Sequence, residues 1–213
     1  MAKKRKVGNL LALAALAALV ERPMHRYEIA AVLKQRGKER DMDIKWGSLY
    51  TVVQNLEKHG FLEVVGSERA GARPERTIYT ITPAGRAELE DWTRELLSTP
   101  EPETRRFTAG LSIAAVLPPD DVIALLSERL DGLDRTIARL RSDLAQTAAV
   151  PRLFLIEDEY DIAMLQAEAA WVRSLRDELT SGTFPGVDLW RQWHAEGIAP
   201  AEVVERVERG EFT

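Results

Sequence analysis

Apolar positions along the chain fall into segments of different period. The first, Leu10 to Val20, is an unbroken run of leucine, alanine and valine. Leucine and alanine are strong helix formers and Pro23 stops the run, so it predicts a core helix. From His25 to Arg36, Tyr27, Ile29 or Ala30, and Val32-Leu33 recur at helical spacing, with Gly37 as a stop. After a polar connector, Lys38 to Lys45, a third helix is predicted within Trp46 to Gly60. Its apolar stripe is Leu49, Val52/Val53 and Leu56, which leaves Ser48, Tyr50, Thr51, Gln54, Asn55 and Lys58 on its other faces.

The pattern then turns to short stretches rich in β-branched and aromatic residues. Phe61–Val65 and Thr77–Thr82 flank a segment holding Gly66, Gly71 and Pro74, which predicts a hairpin with a long tip bearing Arg69, Arg73 and Arg76. Thr82-Pro83 supplies an N-cap with proline at the first helical position, so Ala84 to Leu97 reads as a further helix. Three helices, a β-hairpin and a helix describe a winged helix-turn-helix.

Two prolines in the polar run Ser98 to Thr104 disfavour both helix and sheet and mark a boundary. The expected organisation is a winged helix-turn-helix over residues 1–98, a linker at 99–104, and a helical domain over 105–213. In that second domain Val122, Leu126, Leu130, Leu133, Ile137, Leu140 and Leu144 follow spacings of 4, 4, 3, 4, 3 and 4, close to a coiled-coil seam. A long helix is expected from Asp120 to Thr147 and a second from Leu153 to Leu179. The second carries Leu165, Val172 and Leu179 on one stripe and Ala163, Ala167, Ala170 and Ser174 on another. Gly182 and Pro185-Gly186 end it, and a short helix follows over Leu189–Glu196. The fold class is thus mainly α with a small β-hairpin. A long leucine seam must be buried, and symmetric self-association would cover it, so the second domain is expected to make a homodimer.

Composition changes this picture in two places. The 213 residues carry 29 basic and 34 acidic side chains, a net charge of −5. Residues 1–97 alone hold 17 basic against 13 acidic, net +4, leaving 12 against 21, net −9, for the remainder. Such a split suggests halves with different partners. Cysteine is absent, which excludes disulfides, thiolate metal sites and a cysteine nucleophile. The longest apolar run, eleven residues, is short of the roughly 20 needed to span a membrane. Lys3-Lys4-Arg5-Lys6 ahead of that run resembles a secretory signal, but the run continues into Glu21-Arg22-Pro23 and a second amphipathic pattern, so it is read as a core helix of a cytoplasmic protein.

Catalysis finds little footing. His25, His59 and His194 sit in different predicted elements without partners at metal-ligand spacing, and no phosphate-cradling or nucleophile-elbow glycine motif occurs. Neither a metal nor a cofactor is expected, and the chain is not expected to be an enzyme. Nucleic acid fits better. Ser48, Thr51, Gln54 and Asn55 offer hydroxyls and amides short enough to meet base edges, while Lys45, Tyr50 and Lys58 can reach phosphates. Arg69, Arg73 and Arg76 extend this surface to the wing, and Lys3, Lys4, Arg5 and Lys6 to an N-terminal arm. Trp92, Tyr160 and Trp171 are candidates for an aromatic ligand site, as such side chains line hydrophobic pockets.

These residues also carry a resemblance. Met24-His25-x-Tyr27-Glu28-Ile29, Gly47-Ser48-Leu49-Tyr50, Leu56-Glu57-x-x-Gly60-Phe61-Leu62 and Arg76-x-x-Tyr79-x-Ile81-Thr82-x-x-Gly85 are similar to the PadR family of bacterial winged-helix regulators. Leu153-Phe154 through Glu159-Tyr160 and Ala170-Trp171 resemble the helical C-terminal domain of its larger members, a domain also described for a virulence activator. The resemblance implies a homodimer that represses a promoter by binding double-stranded DNA and lets go when a small aromatic or hydrophobic effector binds. It also implies that Tyr50 faces DNA. Arg26 departs from it, lying where relatives commonly have Gly or Pro. Two other readings stand beside this one: a winged-helix module that binds protein without sequence-specific DNA binding, and a small-molecule enzyme built on the helical half.

Overall fold

A computed structural model describes residues 5–38, 42, 44–68, 76–100, 106–198, 202, 205, 206 and 208–210. They divide into two compact units, Met1–Glu103 and Thr104–Thr213.

The N-terminal unit is built around α1 (Leu10–Leu19), whose first turn is capped by the Asn9 side chain accepting the Leu11 N–H at 2.7 Å. This helix is apolar on every face, and eight of its ten residues are buried, as such a helix requires. Around it lie α2 (Arg26–Gln35), α3 (Leu49–Lys58, entered through a 3-10 turn at Trp46–Ser48), α4 (Pro83–Ser98) and a three-stranded antiparallel sheet. The strands are β1 (Met24–His25), β2 (Leu62–Glu68) and β3 (Arg76–Ile81), in the order β1-β3-β2, with an irregularity between Val64 and Gly66. The pattern predicted the hairpin but not β1, which pairs Met24 with Tyr79 and His25 with Ile78. Two residues are too few to display a period.

Two local devices fix the unit. His25 caps α2 through a reciprocal box: its Nδ1 accepts the Glu28 N–H at 3.2 Å, and the Glu28 carboxylate accepts the His25 N–H at 3.0 Å. Thr82 caps α4 by accepting the Gly85 N–H at 3.0 Å while its hydroxyl donates to the Gly60 carbonyl at 2.7 Å. The helix start and the hairpin start are thereby joined.

The C-terminal unit holds α5 (Arg106–Ser112), a 3-10 turn at Ala114–Val116, α6 (Pro119–Ala145), a 3-10 turn at Arg152–Phe154, α7 (Ile156–Ser181) and α8 (Val187–Glu196). The seam on α6 is buried as expected, but its partner differs. Val122, Leu126, Leu130, Leu133 and Ile137 pack against Ala169, Val172 and Leu179 of α7 in the same chain, with Val187 and Trp190 closing the end. The seam therefore does not require a second copy. The connection between α6 and α7 is short enough to fold them into a hairpin that buries the seam within the chain. The stripe Ala163, Ala167, Ala170 and Ser174 is exposed in the single chain, and Ala169 is the small residue at the helix contact. Helix α5, which the sequence pattern did not predict, contributes Phe107 to this core.

Candidate nucleic-acid interface

Helix α3 is amphipathic: Leu49, Val52, Val53 and Leu56 are buried, and this apolar face anchors it to the core. Tyr50, Thr51, Gln54, Asn55 and Lys58 are all exposed on the other side, and Lys45 is exposed just before the helix. The structure thus brings onto one surface the residues that spacing assigned to it. Ser48 belongs to the same surface but is half-buried, and its hydroxyl donates to the Lys45 carbonyl at 2.7 Å. That bond holds the 3-10 turn, so Ser48 positions Lys45 and the start of α3.

Tyr50 is half exposed, and its hydroxyl oxygen accepts a hydrogen bond from Gln54 Nε2 at 2.7 Å. The Arg26 guanidinium lies 4.4 Å from the Tyr50 ring centroid and 5.6 Å from that of Tyr27. Arg76, on β3, lies 5.7 Å from the Tyr27 ring, and its Nη1 is 3.3 Å from His25 Nε2. A cation over an aromatic face is attracted to its negative quadrupole, so Arg26 and Arg76 are stacked at defined positions beside α3. Sequence reasoning did not place Tyr27, which is 62% exposed between these two arginines. Helical spacing assigned it to the core stripe of α2. Its neighbours Ile29 and Leu33 occupy that stripe instead. Buried Tyr79 sits beneath this surface; burial raises its hydroxyl pKa above the ordinary value, with the nearby Glu57 charge adding to the effect.

The remaining candidates divide. Arg69, Arg73 and Lys4 lie outside the described residues. Arg5 is not part of a DNA-facing arm. Its side chain is 4% exposed and forms ion pairs with Glu88, Asp91 and Glu95 of α4, with its guanidinium 5.1 Å from the Trp92 ring centroid. Trp92 is in turn 5% exposed in the core of the N-terminal unit, where it packs as a core residue. Tyr160 is exposed on α7 and is not in the walls of two apolar cavities of the C-terminal unit, both of which Trp171 lines. Among the described residues, no group of three or more His, Asp or Glu side chains is arranged to hold a metal ion, and no helix is long and apolar enough to cross a membrane.

Comparison with known proteins gives this geometry a family. Residues 15–91 match the transcriptional regulator PadR-like family. The chain is similar in fold to Bacillus subtilis PadR solved in complex with operator DNA, with a TM-score of 0.68 and 18% identity over 80% of this chain and 99% of that one. It is also similar to the same protein in complex with p-coumaric acid, with a TM-score of 0.67 and 19% identity over 81% and 99%. The Vibrio cholerae virulence activator AphA gives a TM-score of 0.61 at 21% identity over 80% and 98%. No curated protein sequence matches significantly. The family and these neighbours are transcriptional regulators rather than enzymes. The winged helix within residues 15–91 is thus a PadR-like family domain, and most of the chain shares the fold of these solved regulators.

Proposed function

We propose that the protein is a cytoplasmic, homodimeric repressor that binds an inverted-repeat operator and is released by a small hydrophobic effector. The observation that carries the DNA contact is the outer face of α3, where Tyr50, Thr51, Gln54, Asn55 and Lys58 are exposed while the opposite face is buried. Gln54 and Asn55 are of the right chemistry for bidentate contact with adenine, and Lys45, Lys58 and Arg76, with Arg69 and Arg73 of the wing, would meet phosphates. B. subtilis PadR has been solved with operator DNA and with p-coumaric acid, which supports both halves of this reading.

The dimer rests on the C-terminal unit, although not on the α6 seam. Leu153, Phe154, Ile156 and Tyr160 stand exposed at the start of α7, and a cluster of large apolar side chains is the kind of surface that a second copy covers. Two copies of α3 would then address half-sites about 34 Å apart. The test is a gel-shift titration against the DNA upstream of the protein's own gene at several salt concentrations. Gln54→Ala should relax preference at one base step by about 1–3 kcal/mol. Affinity equal to that for unrelated duplex, unaltered by Gln54→Ala and Lys45→Ala, would leave the protein-interaction reading in its place.

A further inference from the structure

We propose that a cavity wholly within the C-terminal unit is a binding site for a small, flat, uncharged aromatic molecule. The cavity measures about 450 Å³, and its walls include Leu111 of α5, Val122 of α6, Trp171 and Leu175 of α7, Phe184, and Trp190 of α8. As the effector site of a regulator, it rests on the function proposed above. As a binding site it stands on its own geometry.

The cavity is held open by the backbone. Gly182 and Gly186, at φ of 77° and 78°, reverse the chain between α7 and α8, a conformation open to glycine without strain. Between them the Phe184 N–H donates to the Glu178 carbonyl at 3.2 Å, and the Phe184 ring lies 6.5 Å from that of Trp190. The facing wall is tied to α8 by two long-range bonds. The Trp190 indole N–H donates to the Leu117 carbonyl at 3.0 Å, and His194 Nε2 lies 3.0 Å from the Ala115 carbonyl. Since a carbonyl can only accept, His194 carries its proton on Nε2 in that bond. The site is therefore formed without a ligand, as small-molecule pockets usually are.

Its chemistry follows from its lining, which contains no charged side chain and three tryptophans, Trp193 being the third. Two arginines of the same helices are engaged elsewhere: Arg191 bonds Asp120 and the Leu179 carbonyl, and Arg129 pairs with Glu168. A carboxylate entering here would lose its hydration and meet no cation, an unfavourable transfer. A neutral ring system would instead stack on indole faces. Trp171 and Leu111 also bound an adjoining cavity of about 370 Å³, where Trp171 meets Phe107 edge-on at 6.2 Å. Leu111, Ala114 and Ala115 of the wall come from α5 and the 3-10 turn that follows it.

The test uses the full chain without DNA. Neutral N-phenyl-1-naphthylamine is titrated while energy transfer from tryptophan is followed, with the anionic 8-anilinonaphthalene-1-sulfonate as its counterpart. One neutral probe should saturate each chain, and the sulfonate should bind at least about tenfold more weakly. Ala114→Phe, which fills the cavity, should weaken the neutral probe by about tenfold or more, whereas Ala138→Phe on the exposed side of α6 should not. If Ala114→Phe fails to fold by circular dichroism, Trp171→Phe at its half-exposed position should still cut the transfer, while Trp46→Phe in the other unit should not. Equal affinity for both probes, one probe per two chains, or full binding by a folded Ala114→Phe would overturn the proposal. Because DNA is absent from the experiment, that failure would leave the DNA-binding reading standing, and loss of DNA binding would leave the probe result intact.

Discussion

Arg5 sits among three carboxylates spaced along α4, and its partners lie more than 80 positions away in sequence. Burial acts to lower its pKa, while the charge-assisted bonds it donates to Glu88 and then Glu95 act to raise it, and the balance lies above the ordinary arginine value. It is a permanent cation whose removal would leave Glu88, Asp91 and Glu95 repelling one another on adjacent turns. Arg5→Ala is expected to cost about 2 kcal/mol in urea unfolding, with Arg5→Lys in between, and to leave the salt dependence of DNA binding unaltered. A DNA-facing arm would give the reverse result. Glu28 gives a second expectation at this scale. Its pKa is depressed, first by the hydrogen bond from the His25 N–H and also by Arg22. A carboxylate lowered in the folded state stabilises above its unfolded value, here 4.5, and that contribution is lost as pH falls through the folded value. Glu28→Gln should therefore flatten the acid limb of a stability–pH curve below about pH 4.5 and change little at neutral pH beyond weakening the cap.

Helices and strands were legible wherever burial is one-sided over several turns. The stripes of α3 and α6 each return to the same face, and Thr82-Pro83 marks the start of α4 by local chemistry alone. Strand β1 was not legible, because it exists only through pairing with β3, and neither was the identity of the surface that covers the α6 seam. Periodicity shows that a face is buried without showing what buries it. The intrachain packing has a measurable consequence: Leu130→Ala should cost about 2–5 kcal/mol in urea unfolding of the C-terminal unit while leaving the dimerisation constant of the folded protein, measured by ultracentrifugation, little changed. If the seam were instead the dimer contact, Leu130→Ala would weaken dimerisation itself by about tenfold or more. Gly85 is the corresponding position in the N-terminal unit. A Cβ there would overlap the Phe61 carbonyl oxygen and lie 2.9 Å from Ile81 Cγ1. Gly85→Ala should accordingly lower the melting temperature even though alanine favours helix, by an amount that separates α4 from the hairpin it abuts.

At the scale of the whole molecule, the charge divides where the function does. The half that carries α3 is net +4 and the other half net −9, so phosphate contact falls to a few exposed cations rather than to the global balance. Those cations can be counted. Each phosphate contact contributes about 0.9 to the slope of log affinity against log salt on duplex DNA, and in a two-fold complex every substitution removes its contact twice. Lys45→Ala should therefore reduce the slope by about 2 if two chains bind together, and by about 1 if a single chain binds. Lys58→Ala should do the same, because it is exposed on the same surface. Arg5→Ala serves as the internal control, since its charge is already neutralised by α4. Fluorescence anisotropy on one duplex at four or more salt concentrations would resolve the step. The size of the step reports stoichiometry at the DNA itself, which ultracentrifugation of the free protein does not. A step near 1 with saturation at one chain per duplex would remove the inverted-repeat operator, because a single α3 reads a single half-site.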